Sequence, residues 1–222
     1  MGTNFILDIS QINKNYKSDV DDIESFKKPF FEQTLTFTKR FLNDSGQVIF
    51  KADDLRKRYF DTSTHYDIFI SHSSRDSEYI YGYAMYLKEE YGLEVFVDSM
   101  IWADYADIVD YIVDEYEADV NEMMANLHII LAGALSEAIE SSRYFLFIKS
   151  KNSMHNKTSV LSPWVYYELK EASKRSKVPK FQSSSESFNE SVHVQHNVES
   201  FLSNFETINK DKFEELFYLL EN

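Results

Sequence analysis

An α/β protein built on a five-stranded parallel sheet is the fold class this sequence predicts, and two observations carry it. Three short β-branched and aromatic runs, YDIFIS (66–71), LEVFVD (93–98) and YFLFIKS (144–150), alternate with stretches of helical periodicity. Parallel neighbours need such crossover connections, and helices on both faces make the sheet doubly wound. Two weaker runs, KVPKFQ (177–182) and SVHVQHNV (191–198), are the expected fourth and fifth strands around a serine-rich loop.

Residues 1–64 precede this rhythm. Ile23, Phe26, Phe30, Leu35, Phe37 and Phe41 stand among charges with loose helical spacing until SGQ breaks the pattern, which predicts a mostly helical N-terminal extension. The first strong strand ends in the turn-forming SHSSRDSE. The helix EYIYGYAMYLKEEYG follows, with Gly92 as its C-cap. After the second strand comes an acidic segment, 98–124, without Lys or Arg, expected to be a solvated helix face and loop. In the helix beyond it, Leu127, Ile130, Leu131, Ala134, Leu135, Ala138 and Ile139 form a core-facing stripe. A polar loop, KNSMHNKTSVL, separates the third strand from a helix starting near Pro163, and the chain closes in the amphipathic DKFEELFYLL. The expected division is an extension (1–64), a sheet domain (65–205) and a C-terminal helix packed on it (206–222).

Bulk composition excludes several functions. With 222 residues and 43% hydrophobic residues the chain can bury a sizeable core. A net charge of −14 argues against nucleic acid and anionic membranes as partners, since both require clustered Lys and Arg. No apolar run reaches the roughly 18–20 residues that span a bilayer, and the N-terminus lacks a secretory signal pattern, so a cytoplasmic location is expected. The absence of cysteine excludes disulfides, thiolate metal sites and a cysteine nucleophile. His193 and His196, three apart on an expected strand, point to opposite faces, and no other metal-ligand spacing is present. Neither G-x-G-x-x-G, a Walker loop nor G-x-S-x-G occurs.

In a parallel sheet, ligands bind beyond the carboxyl ends of the strands. The segments leaving those ends, SHSSRD, DSMIW and SKNSMHNKTSVLSPW, are rich in hydroxyl, imidazole and indole groups. Ser162 is a candidate N-cap and Pro163 a first helical residue, which puts Glu168 in the second turn, leaning back toward the helix start. Trp164 lies one turn earlier on the same face. A capping box would place Glu or Gln at position 165, which is Val, so capping does not explain Glu168. Simpler roles stand beside these: Trp164 as core packing, His72 as a turn hydrogen-bonder, and Ser71 and Asp67 as partners of strand-end backbone groups.

The order of these motifs resembles the Toll/interleukin-1 receptor (TIR) domain family. YDIFISHSSRD resembles its first signature box, GLEVFVD its second strand, and SRYFLFIKSKNS with SPWVYYEL its third strand and W-x-x-x-E-L helix. The resemblance covers roughly residues 65–205, is nearer to bacterial members, and implies a flavodoxin-like sheet. The family contains scaffolds that signal by self-association and enzymes that cleave NAD+ at the nicotinamide–ribose bond. For this chain it implies Glu168 as the catalytic residue, Ser71, His72 and Ser73 lining the pocket, and Phe96 near the nucleotide. Enzymatic relatives often carry an aromatic residue and an arginine where His72 and Ser73 stand, and Arg75 is the nearest replacement. It further implies a site completed by a neighbouring TIR domain through the loop around Ser99–Tyr105.

The chemistry accommodates a single carboxylate. Ordinary glycosidases use two because their alkoxide leaving group must be protonated, whereas nicotinamide departs as a neutral pyridine and leaves an oxocarbenium-like ribose for Glu168 to stabilise. Trp164 or Trp102 would wall the nicotinamide. The expected activity is therefore NAD+ cleavage to nicotinamide and ADP-ribose, or to a cyclic or modified ADP-ribose signal sensed by a downstream effector, in Thoeris-type anti-phage defence. NAD+ is the substrate and no further cofactor is expected. The alternatives are a non-enzymatic TIR adaptor or signalling mimic, and a nucleoside deoxyribosyltransferase-like enzyme.

Overall fold

A strand buried on both faces needs apolar side chains at every position, and the strong runs of this sequence meet that condition. The computed structural model describes residues 2–12, 16, 41–42, 48–49, 52–53, 56, 65–175 and 194–218. In chain order its main elements are β1 (Thr3–Asp8), β2 (Ile68–Ser71), α1 (Ser77–Tyr91), β3 (Val95–Val97), α2 (Asp98–Tyr116), α3 (Val120–Ser141), β4 (Tyr144–Lys149), β5 (Ser159–Val160), α4 (Pro163–Lys174), β6 (His196–Asn197), α5 (Glu199–Leu202), β7 (Glu206–Thr207) and α6 (Lys210–Tyr218). Five strands form one parallel sheet in the order β3-β2-β4-β1-β7. Among the described residues, no helix is long and apolar enough to cross a membrane.

Alternate side chains divide the sheet between two cores. Ile6, Phe69, Phe96, Phe145 and Phe147 face α3 and α4, where Leu131, Leu135, Val165 and Leu169 meet them. Phe5, Leu7, Ile68, Ile70, Val95, Val97, Leu146 and Ile148 face α1 and α6, against Ile80, Tyr83, Leu87, Phe213 and Phe217. On the first face Phe69 stacks on Phe96 at 4.9 Å and on Phe145 at 5.5 Å. Each such pair contributes about 0.5–1.5 kcal/mol beyond its buried area. Outside the sheet, Ile108, Val109 and Ile112 of α2 pack with Leu127 of α3.

Helix ends follow local chemistry. Gly92 closes α1 at φ 64°, a left-handed conformation that glycine adopts without a Cβ clash, and its N–H donates to the Lys88 carbonyl. Ser162 caps α4 by accepting from the Val165 N–H, with Pro163 at the first helical position. At the C-terminal end of α4, Arg175 donates to the carbonyls of Ile139, Ser142 and Arg143 and so caps α3 as well.

Three expectations are corrected. Residues 3–8, counted within the mostly helical extension, form β1 between β4 and β7; the apolar core of TNFILD is too short for a helical face and suits a doubly buried strand. The sheet thus takes β1 and β7 from outside residues 65–205. The run 191–198 does not join it: His196–Asn197 pairs antiparallel with Ser159–Val160 in a separate two-stranded sheet, and 177–182 lies outside the described residues, as does most of the expected extension helix. Finally, Ser99–Tyr105, expected to be a loop, belongs to α2. No glycine or proline interrupts 98–116, so the helix starts directly at the end of β3.

Candidate functional site

Glu168 is wholly buried, in the second turn of α4. The pleat of β2 turns Ser71 to the same side of the sheet as Phe69, toward α4, and the Ser71 hydroxyl donates to Glu168 Oε2 at 2.6 Å. Two segments almost a hundred residues apart in sequence are joined there by one buried hydrogen bond. The second oxygen, Oε1, is buried with no hydrogen-bond partner among the described residues.

What lies beside it is another acid. Burial pushes the Glu168 carboxyl well above the usual carboxylate range, and the charge of Asp98 adds to that rise, while the Ser71 hydrogen bond opposes it. Two ionised carboxylates are both acceptors and cannot bond one another, so the pair is satisfied when one of them holds a proton.

Asp98 is the first residue of α2, at the positive end of the helix dipole, and is 4% exposed. Its Oδ1 is 2.8 Å from His72 Nδ1, with the His72 side chain fully buried. His72 Nε2 is 3.0 Å from Ser99 Oγ, which in turn is 2.9 Å from the Tyr81 hydroxyl. The Ser99–His72 hydrogen bond runs in the direction the imidazole tautomer sets, while His72 Nδ1 and Asp98 Oδ1 are in close contact without forming a hydrogen bond. One chain of contacts thus runs Tyr81, Ser99, His72, Asp98 and another joins Ser71 to Glu168, both at the carboxyl ends of β2 and β3, with the Asp98 charge acting on Glu168.

A second buried carboxyl ties the neighbouring loops together. Asp76 accepts from Ser150 Oγ and from Asn152 Nδ2, both at 2.5 Å. This fastens the loop after β2 to the loop after β4, and Ser150 also holds the Asn152 and Ser153 amides.

The remaining expected residues fall at varying distances from this centre. Ser73 caps the short 3-10 turn Ser74–Asp76 by accepting from the Arg75 amide, and Arg75 is exposed on that turn. Phe96 is a core aromatic, stacked on Phe69 and 5.0 Å from the Tyr66 ring. Trp164 is half-buried, one turn before Glu168, with its ring 5.7 Å from His128 and 6.2 Å from Tyr167; His128 in turn stacks on Tyr105 at 4.9 Å. Trp102 lies in α2, with its side chain outside the described residues. Asp67 accepts from the Glu94 amide at the strand start, the structural role considered for it.

The structure therefore joins Ser71 to Glu168 and places His72 in a second chain with Asp98, Ser99 and Tyr81, three residues that sequence reasoning missed. A signal for Asp98 was present: an acid directly following an apolar strand sits at the ligand-binding edge of a parallel sheet. No family model, curated protein or solved structure matches the chain.

Proposed function

We propose that the protein is a TIR-type NAD+ nucleosidase, with Glu168 as the carboxylate that holds the ribose and stabilises its cation. The observation that carries this reading is the Ser71–Glu168 hydrogen bond, which joins the first signature box to the W-x-x-x-E-L helix at the carboxyl ends of the strands. A buried carboxylate is a strong partner for a cation because little water competes with it. Nicotinamide leaves without protonation, so the site needs no separate general acid. Ser71 orients the carboxylate from one side while Trp164 flanks it on α4. Self-association through TIR domains, a cytoplasmic site of action and an effector sensing the ADP-ribose product belong to the same proposal.

The complete burial of Glu168 favours a second reading, a TIR adaptor without activity in which the network only locks α4 to the sheet. Incubation of the purified protein with NAD+, with nicotinamide release followed by chromatography, separates the two. The nucleosidase releases nicotinamide, and Glu168→Ala lowers the rate by about 100- to 1000-fold. A wild type inert even when concentrated into assemblies supports the adaptor, and equal turnover by both proteins removes Glu168 from its role.

A further inference from the structure

Trp164 stands one turn before Glu168 on α4, so the two side chains leave the helix as neighbours on one face. An indole turns about two side-chain bonds, and a ring free to turn cannot hold another ring in a fixed place. What steadies this one comes from α3. The His128 imidazole lies 5.7 Å from the Trp164 ring, tilted by 53°, and 4.9 Å from the Tyr105 ring, parallel to it within 6°. Tyr105 is tied to α3 in turn, because its hydroxyl donates to the Met124 carbonyl at 3.2 Å. We infer that His128 is a positioning residue: it sets the plane of the Trp164 indole and, through it, where the nicotinamide ring of NAD+ lies beside Glu168. The inference rests on the nucleosidase reading.

The same helix supports α4 a second time. His128, Ala132 and Ser136 follow at intervals of four, which aligns them as one ridge along α3. The Tyr167 hydroxyl donates to the Ala132 carbonyl at 2.9 Å and, having only one proton, accepts from Ser136 Oγ at 2.8 Å. Its ring meets the indole edge-on at 6.2 Å and 74°. Tyr166, the residue between Trp164 and Tyr167 that leaves α4 on another side, stacks instead on His196 at 4.6 Å and contacts Phe201. The ridge therefore meets Trp164 and Tyr167.

The two supports do different things. Tyr167 is fixed by hydrogen bonds to α3 and holds the helix that carries Glu168, so its loss would shift α4 itself. Truncation of His128 leaves those hydrogen bonds in place and removes a ring from beside the indole. Contact between flat faces and edges is what His128 supplies, and a phenyl ring can supply it too.

Two readouts on the full chain test this. In a Trp102→Phe background the emission reports Trp164 alone, since the chain has two tryptophans. His128→Ala should make that emission more easily quenched by acrylamide, and His128→Phe should restore the protection. In nicotinamide release with Trp102 intact, His128→Ala should raise KM for NAD+ about 2- to 10-fold, the loss of one aromatic pair, with kcat near wild type and KM recovered in His128→Phe. A merely structural histidine would lower the active fraction, which reduces kcat and leaves KM alone. His128→Leu, which fills the space without a flat ring, takes the place of alanine if that variant fails to fold. Quenching unchanged in the alanine or leucine variant, or a fall in kcat at constant KM, overturns the inference and leaves the nucleosidase reading standing. Quenching that follows the ring in a protein that releases no nicotinamide overturns that reading, and with it the part of His128 in seating the substrate.

Discussion

A carboxyl removed from water must be neutral or find a counter-charge, and Glu168 has a hydroxyl and a second acid beside it. Its pKa is higher in the folded chain than in the unfolded one, so the folded state binds the proton more tightly. This contribution to stability is fully present below the unfolded carboxyl range and is lost as pH rises through the folded value. Replacement by glutamine removes the proton and the slope together. Thermal melts from acid to neutral pH should therefore show Glu168→Gln gaining on wild type as pH rises, with the two nearest at the acid end. If the difference is independent of pH, the carboxyl is not protonated in the folded state. At this scale the sequence was informative where a spacing and a resemblance coincided: Trp164 one turn earlier and the W-x-x-x-E-L pattern pointed to Glu168, which the folded chain buries against Ser71. Asp98 escaped because its role depends on the register of β2 and β3, which aligns Ile70 with Val97 and so starts their following residues from neighbouring strand ends. A list of residues does not contain that alignment.

Secondary-structure elements hold these residues by ties between the sheet and its helices and between helix ends. The Asn4 amide of β1 donates to the Ala172 carbonyl near the end of α4 at 2.8 Å, while Ser162 fixes its start. Gly2 lies so close to the Arg175 guanidinium that an added Cβ would collide with it, and the three carbonyls held by Arg175 resist its retreat. The loops are fastened separately by Asp76. Asp76→Ala removes two short hydrogen bonds and should speed amide exchange in 72–76 and 150–153 at least tenfold, on the order of 1.5–3 kcal/mol for hydrogen bonds to a charged group, with the central strands unaffected. Uniform acceleration across the sheet would make Asp76 a core residue instead of a loop fastener. Helices α1, α3 and α4 were legible because caps and apolar stripes are local signals. Strand β1 was not, because TNFILD has only short-range apolar character and its partners, β4 and β7, lie far along the chain.

For the whole molecule, the two-sided sheet means that no strand is optional. Phe5, Ile6 and Leu7 are buried, and Phe5 and Leu7 face the opposite core from Ile6. Full burial of such side chains is worth about 1.5–3 kcal/mol each, against a total stability of about 5–15 kcal/mol for a typical domain. Deletion of residues 1–12 should abolish the cooperative urea transition followed by circular dichroism; a truncated chain with an unchanged midpoint would show that β1 is dispensable. The α/β class and the three strong strands were legible because their hydrophobicity exceeds what a solvated segment tolerates. The strand order was not, since order is decided by packing across the entire chain.

The position of β1 also bears on how the protein is made. β1 pairs with β4, Thr3 opposite Tyr144, and with β7, Phe5 opposite Glu206. It stays unpaired until those later segments have been synthesised. Such contacts raise the contact order and slow folding, since loop closure is required before pairing stabilises anything. The nascent chain therefore carries an apolar strand with exposed hydrogen-bonding edges until β4 and β7 have emerged, which makes chaperone capture of this segment a natural stage in its maturation.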